Sequence, residues 1–121
     1  MRKPTIGIIG NGFVGEAQAF AFSPVCDIKI YDVDPLKSTH TLNETHDSDF
    51  VFVCVPTPMY KDGNQNLEFV EEVFKHASKK PFYILKSTVL PGTTEKLNKI
   101  YNQLKIVFSP EFLTERTSKL D

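Results

Sequence analysis

The chain has 121 residues, 40% of them hydrophobic and 24% charged. That is ordinary globular usage for one domain, and such a length buries roughly two thirds of the unfolded surface, enough for a core without staples. A formal net charge of −1 removes the electrostatic case for nucleic acid or an anionic membrane surface as a partner. Cys26 and Cys54 lack CxxC spacing, which argues against a disulfide framework or zinc cluster, and no metal site is expected. No apolar stretch approaches the ~20 residues needed to span a bilayer. Met1-Arg2-Lys3-Pro4 does not open a signal peptide, so the expected setting is soluble, reducing and cytoplasmic.

In chain order, short apolar runs alternate with amphipathic stretches, the pattern of βαβ units and a parallel sheet. Thr5-Ile6-Gly7-Ile8-Ile9 reads as the first strand. A glycine-rich turn follows, then a helix over about 13–22 that Ser23-Pro24 ends. Ile28 to Tyr31 is a second strand closing on Asp32. The segment 34–49 must carry the crossover to the third strand, yet Lys37-Ser38-Thr39-His40-Thr41 is poor helix material, so a short or irregular connection is expected. Phe50 to Val55 is apolar throughout, as in a strand covered on both faces, with Cys54 as a buried core residue.

Leu67, Val70, Phe74 and Ala77 recur at helical spacing, predicting a helix over about 67–78. Phe82 to Leu85 is a fourth strand. Leu97, Ile100, Tyr101 and Leu104 mark another helix, capped by Thr93 or Thr94, and Ile106 to Phe108 is a fifth strand. The expected fold is α/β: a Rossmann-like, doubly wound parallel sheet of about five strands, ending before a sixth. A fifth strand without a neighbour exposes an edge, so self-association through it, or an occluding C-terminal tail, is expected.

Gly10-x-Gly12-x-x-Gly15 is weak alone, but here a strand precedes it, a helix follows it, and an acid, Asp32, closes the next strand. Gly10 permits the tight turn, Gly12 lets backbone approach a pyrophosphate, and Gly15 lets helix pack close to strand. The helix N-terminus offers unpaired N–H groups to phosphates. Asp32 can accept from both hydroxyls of the adenine-side ribose and would repel a 2′-phosphate, which favours NAD over NADP. A plain βα turn with a solvated Asp is the competing interpretation, and Lys37 is either beside the adenosine or simply solvated.

Three further loops follow strands and would line the carboxyl edge, where open α/β sheets bind ligands. They are Val55-Pro56-Thr57-Pro58, Lys86-Ser87-Thr88 and Ser109-Pro110-Glu111. Each also has a plain interpretation as a rigid proline loop, a helix cap or an exposed acid.

Together the four motifs resemble the N-terminal, NAD-binding domain of the nucleotide-sugar 6-dehydrogenases of the UDP-glucose and GDP-mannose type. Carrying the likeness are Gly10 to Gly15 with Phe13 for the usual Tyr, Tyr31-Asp32-Val33-Asp34, Val53 to Pro58, Lys86 to Thr94, and Ser109 to Glu115. It spans essentially the whole chain, residues 1–121. The family oxidises a sugar C6 alcohol to a carboxylate in two NAD-dependent steps through aldehyde-level and thioester intermediates. The resemblance implies that Gly10, Asn11, Gly12, Phe13, Val14 and Gly15 hold the cofactor, with Asp32 on the ribose and Lys37 beside the adenosine. It further implies that Val55, Pro56, Thr57, Ser87 and Thr88 line the cofactor, and that Glu115 sits near the nicotinamide. Thr88 would help position the reacting water and Glu111 would act as acid/base, a role suited to thioester hydrolysis.

Three departures stand out. The crossover after Asp34 is shorter than the family's, and Arg116 stands where Gly is usual. The catalytic-cysteine segment, the central helix and the sugar-nucleotide domain are not matched within these residues, and neither Cys26 nor Cys54 fits that segment. The expectation is a domain that binds NAD but is catalytically incomplete alone, a sugar nucleotide being its partner only in a longer chain. The rival expectation is a stand-alone, non-catalytic NAD-binding module.

Overall fold

The computed structural model describes residues 3–58, 60–63, 65–87, 89 and 92–109, with the side chain of Phe13 left out. In chain order the elements are β1 (Thr5–Ile9), α1 (Phe13–Phe22), β2 (Asp27–Tyr31), a 3-10 turn (Pro35–Lys37), α2 (Leu42–His46), β3 (Phe50–Val53), α3 (Glu68–Lys75), β4 (Phe82–Leu85), α4 (Thr93–Ile100) and β5 (Lys105–Phe108). The five strands form one parallel sheet in the order β2-β1-β3-β4-β5. Ile8 pairs with Ile30 on one side and Phe52 on the other, and Val53 pairs with Leu85. This is the expected α/β doubly wound arrangement.

Period-two alternation sends the strand side chains to opposite faces. On one face Ile9, Val51, Val53, Tyr83, Leu85 and Ile106 pack with Val70, Val73 and Phe74 of α3, Leu97 of α4 and Leu42 of α2. On the other, Ile6, Ile8, Phe52 and Ile84 pack with Ala19 and Phe22 of α1. Only α1 covers that second face among the described elements, and Phe50 and Val107 stay about 40% exposed on it.

The local details differ from the sequence expectations in five places. The crossover after β2 is short, as expected, but α2 within it is sharply defined. Thr41 Oγ1 accepts from the Glu44 N–H at 3.2 Å while Glu44 Oε1 accepts from the Thr41 N–H at 2.9 Å. That reciprocal capping box offsets weak intrinsic propensity. Helix α4 is capped by Gly92 at φ +88°, not by a threonine; Thr93 is already helical and buried. Strand β3 stops at Val53, since Pro56 has no N–H for a ladder and the Lys86 and Ser87 amides both turn onto the Val53 carbonyl. Cys54 is half-buried, whereas Cys26 is the buried cysteine. Helix α3 is also shorter than expected, with Leu67 and His76 as its caps.

Candidate functional site: the carboxyl edge of the sheet

Backbone hydrogen bonds run along the carboxyl edge and bring the sequence-predicted loops together. The Gly10 N–H donates to the Tyr31 carbonyl at 2.8 Å, the Cys54 N–H to Ile9, and the Ser109 N–H to Leu85 at 3.0 Å. Gly10 has φ +95°, and a Cβ there would stand 2.7 Å from the Cys54 carbonyl oxygen, so no other residue fits the turn without strain. A Cβ on Gly15 would strike the Gly10 carbonyl oxygen. Helix α1 therefore starts flush against the end of β1. A Cβ on Gly12, the N-cap of α1, meets nothing within 4 Å. That is open ground in front of a helix N-terminus whose first N–H groups lack intrahelical acceptors, the environment a pyrophosphate requires.

Asp32 joins the glycine turn to the end of β2. Its Oδ2 accepts from the Asn11 N–H at 2.7 Å and its Oδ1 from the Asp34 N–H at 2.9 Å. Each carboxylate oxygen has further acceptor capacity, so ribose hydroxyls can still donate to it. Ser38 Oγ accepts from the Asp32 N–H at 2.8 Å and donates to the Asp32 carbonyl at 2.9 Å, fixing the backbone that aims the carboxylate. Asp34 caps the 3-10 turn by accepting from the Leu36 N–H. The Lys37 side chain is exposed, while its carbonyl accepts from Asn11 Nδ2 at 3.0 Å. An open hollow of about 480 Å³ adjoins Asp32, with Tyr31, Pro35, Ser38, His40 and Glu44 among its walls.

Val55 and Thr57 are half-buried and Pro56 is exposed beside the turn. Ser87 is buried, and its hydroxyl donates to the Val55 carbonyl at 2.6 Å. Its side chain thus ties the loop after β4 to the loop after β3. Thr88, Glu111 and Glu115 lie outside the described residues. Sequence reasoning missed the Asn11–Lys37 bond and the Ser38 brace. An Asp-x-Asp-x-x-x-Ser run after a strand carries the signal for the latter, because Asp and Ser side chains favour local turns.

The model of the UDP-glucose/GDP-mannose dehydrogenase family's NAD-binding domain matches residues 33–121. The chain belongs to that family. It is 28% identical to the UDP-glucose 6-dehydrogenase of Campylobacter jejuni over 151 residues, covering 96% of this chain and 38% of that enzyme. In fold it matches a UDP-glucose dehydrogenase from Pyrobaculum islandicum (TM-score 0.80, 22% identity, 99% of this chain and 38% of that one). It likewise matches the GDP-mannose dehydrogenase from Pseudomonas aeruginosa (TM-score 0.78, 23% identity, 96% and 38%). The chain thus spans well under half the length of these relatives. The match is to the family's NAD-binding domain, and an open Gly12 beside a fixed Asp32 suits that cofactor. No helix among the described residues is long and apolar enough to cross a membrane.

Proposed function

We propose that Gly10 to Gly15 cradle the pyrophosphate of NAD, that Asp32 takes the adenine-side ribose, and that Val55, Pro56 and Thr57 wall the cofactor. The observation that carries this is the union of the turn and the acid: one 2.7 Å bond from the Asn11 N–H to Asp32 ties the glycine turn to the strand-end carboxylate. When bound, NAD would supply a hydride acceptor for a substrate alcohol, and Gly10 to Gly15, Asp32 and Val55 to Thr57 would hold and orient it. Asp32 opposes the 2′-phosphate of NADP by like charge. In the family's longer enzymes this domain would face a sugar-nucleotide site, with Thr88 positioning water, Glu111 as acid/base and Glu115 near the nicotinamide, by resemblance alone.

Neither Cys26, which is buried, nor Cys54, in the loop after β3, matches the family's catalytic-cysteine segment. The chain alone is therefore expected to bind without turning over. It is also expected to work in a reducing, cytoplasmic setting and to self-associate through β5, whose Val107 and Phe108 are each about 40% exposed.

A thermal-shift series tests the assignment. Ligand at about a hundred times its dissociation constant adds roughly 2.7 kcal/mol. NAD should stabilise strongly, NADP far less, and UDP-glucose hardly at all. With NAD and UDP-glucose together no NADH should form. Equal shifts for NAD and NADP would remove the role of Asp32, and no shift with NAD would remove the assignment.

A further inference from the structure

Three hydrogen bonds join the glycine turn to the end of β2 and the segment after it. Two come from backbone N–H groups, Gly10 to the Tyr31 carbonyl and Asn11 to Asp32, and any residue but proline at position 11 could supply the second. The third, from Asn11 Nδ2 to the Lys37 carbonyl at 3.0 Å, requires a side-chain donor of this reach. We propose that Asn11 is a positioning residue for the cofactor, its carboxamide pinning the Pro35–Ser38 turn against the phosphate turn so that the adenosine half of NAD meets a preset wall.

The turn it pins is already built. Asp34 caps it, the Ser38 N–H closes onto the Pro35 carbonyl, and Ser38 Oγ clasps both backbone groups of Asp32. What the turn lacks within itself is attachment to the glycine loop, and Asn11 supplies that. Reversing the amide would set two oxygens against each other at Lys37, so the orientation is fixed by its partner.

The other end of the same carboxamide shows why stability is not the explanation. Asn11 Oδ1 is buried and has no hydrogen-bond partner among the described residues. One side-chain hydrogen bond made and one buried acceptor left unpaired nearly cancel, and an apolar residue of the same shape would be neutral. A carboxamide with no net stabilising effect still fixes a distance. That distance separates the pyrophosphate position at Gly12 from the Asp32–Lys37 wall.

The inference rests on the NAD assignment above, and Asn11→Leu separates the two. This variant keeps the backbone N–H to Asp32 and the side-chain bulk while removing both the donor and the orphaned acceptor. Without ligand its melting temperature should stay within about 3 °C of the parent. By calorimetric titration its affinity for NAD should fall about tenfold, equivalent to ~1.4 kcal/mol, with the same factor for ADP-ribose, which lacks the nicotinamide. A parent chain that fails to bind NAD overturns the assignment and the inference together. A parent that binds, with a variant matching it within about twofold, overturns the inference alone. Failure of the variant to fold, or a loss for NAD that ADP-ribose does not share, also overturns it, by making Asn11 a stabilising residue or placing its effect at the nicotinamide.

Discussion

Both ends of the sheet carry polar side chains, but they use them differently. At the amino end most groups close on one another, with His46 Nε2 buried and without a partner among the described residues. Tyr83, fully buried, accepts from the Ser78 N–H at 3.1 Å and shares a 2.8 Å hydrogen bond with His46 Nδ1. Ser48 donates to the Thr45 carbonyl, Asp49 accepts from the Thr5 N–H, and Lys80 meets Asp47 at 2.8 Å. At the carboxyl end the same residue types leave capacity unused: Asp32 retains open lone pairs, Gly12 fronts empty space, and Asn11 Oδ1 is unpaired. A closed network makes structure, and an open one of similar chemistry is where a ligand completes the bonding.

The contrast can be broken at either end, and the expected effects run from large to small. Gly15→Ala places a methyl against the Gly10 carbonyl oxygen. The glycine turn must then move, costing about 3 kcal/mol in urea unfolding and abolishing NAD binding. At the amino end, burial pushes His46 down from 6.5 to about 4, with the charge of His76 a lesser cause. The folded state therefore holds a neutral imidazole. Stability is full above pH 6.5 and falls as pH drops towards 4, because the unfolded chain takes up a proton that the fold refuses. Up to about 3 kcal/mol is at stake. Urea midpoints at pH 7, 6 and 5 should decline in that order, and His46→Leu should flatten the decline.

Glu44, lowered by its hydrogen bonds to the Thr41 backbone and side chain, and Asp47, lowered by Lys80, lose their stabilisation only as pH falls below their ordinary 4.5 and 3.8. The interval from pH 6.5 to 4.5 lies above both. Tyr83→Phe leaves the Ser78 N–H and His46 Nδ1 unpaired, and a loss of about 1–3 kcal/mol is expected with NAD affinity unchanged. Lys80→Ala, breaking an ion pair whose partners are at least half exposed, should change neither stability nor binding measurably, because water already screens it.

Much of this was legible in the residues. Strand positions followed from apolar runs, and the tight glycine turn between β1 and α1 followed from glycines at positions where a Cβ would strike backbone. What stayed hidden were long-range partners. Nothing local says that Ser87 donates to Val55, thirty-two positions earlier, or that His46 and Tyr83 share a hydrogen bond. Helix α2 was legible in principle, since Thr41 and Glu44 stand at capping-box spacing, but the low propensity of Ser38-Thr39-His40 masked it. The Thr93 cap failed because Gly92 can take the left-handed conformation that the turn requires.

The central claim is that NAD sits at the carboxyl edge, on the glycine turn and Asp32. Amide chemical shifts of isotope-labelled protein titrated with NAD test it residue by residue. The expected result is movement of Gly10 to Gly15, Asp32, Ser38 and Thr57, with Asp47 to Asp49, Ser78 and Lys80 unmoved. Shifts centred on the amino-end network, or none at the glycine turn at saturating NAD, would contradict it.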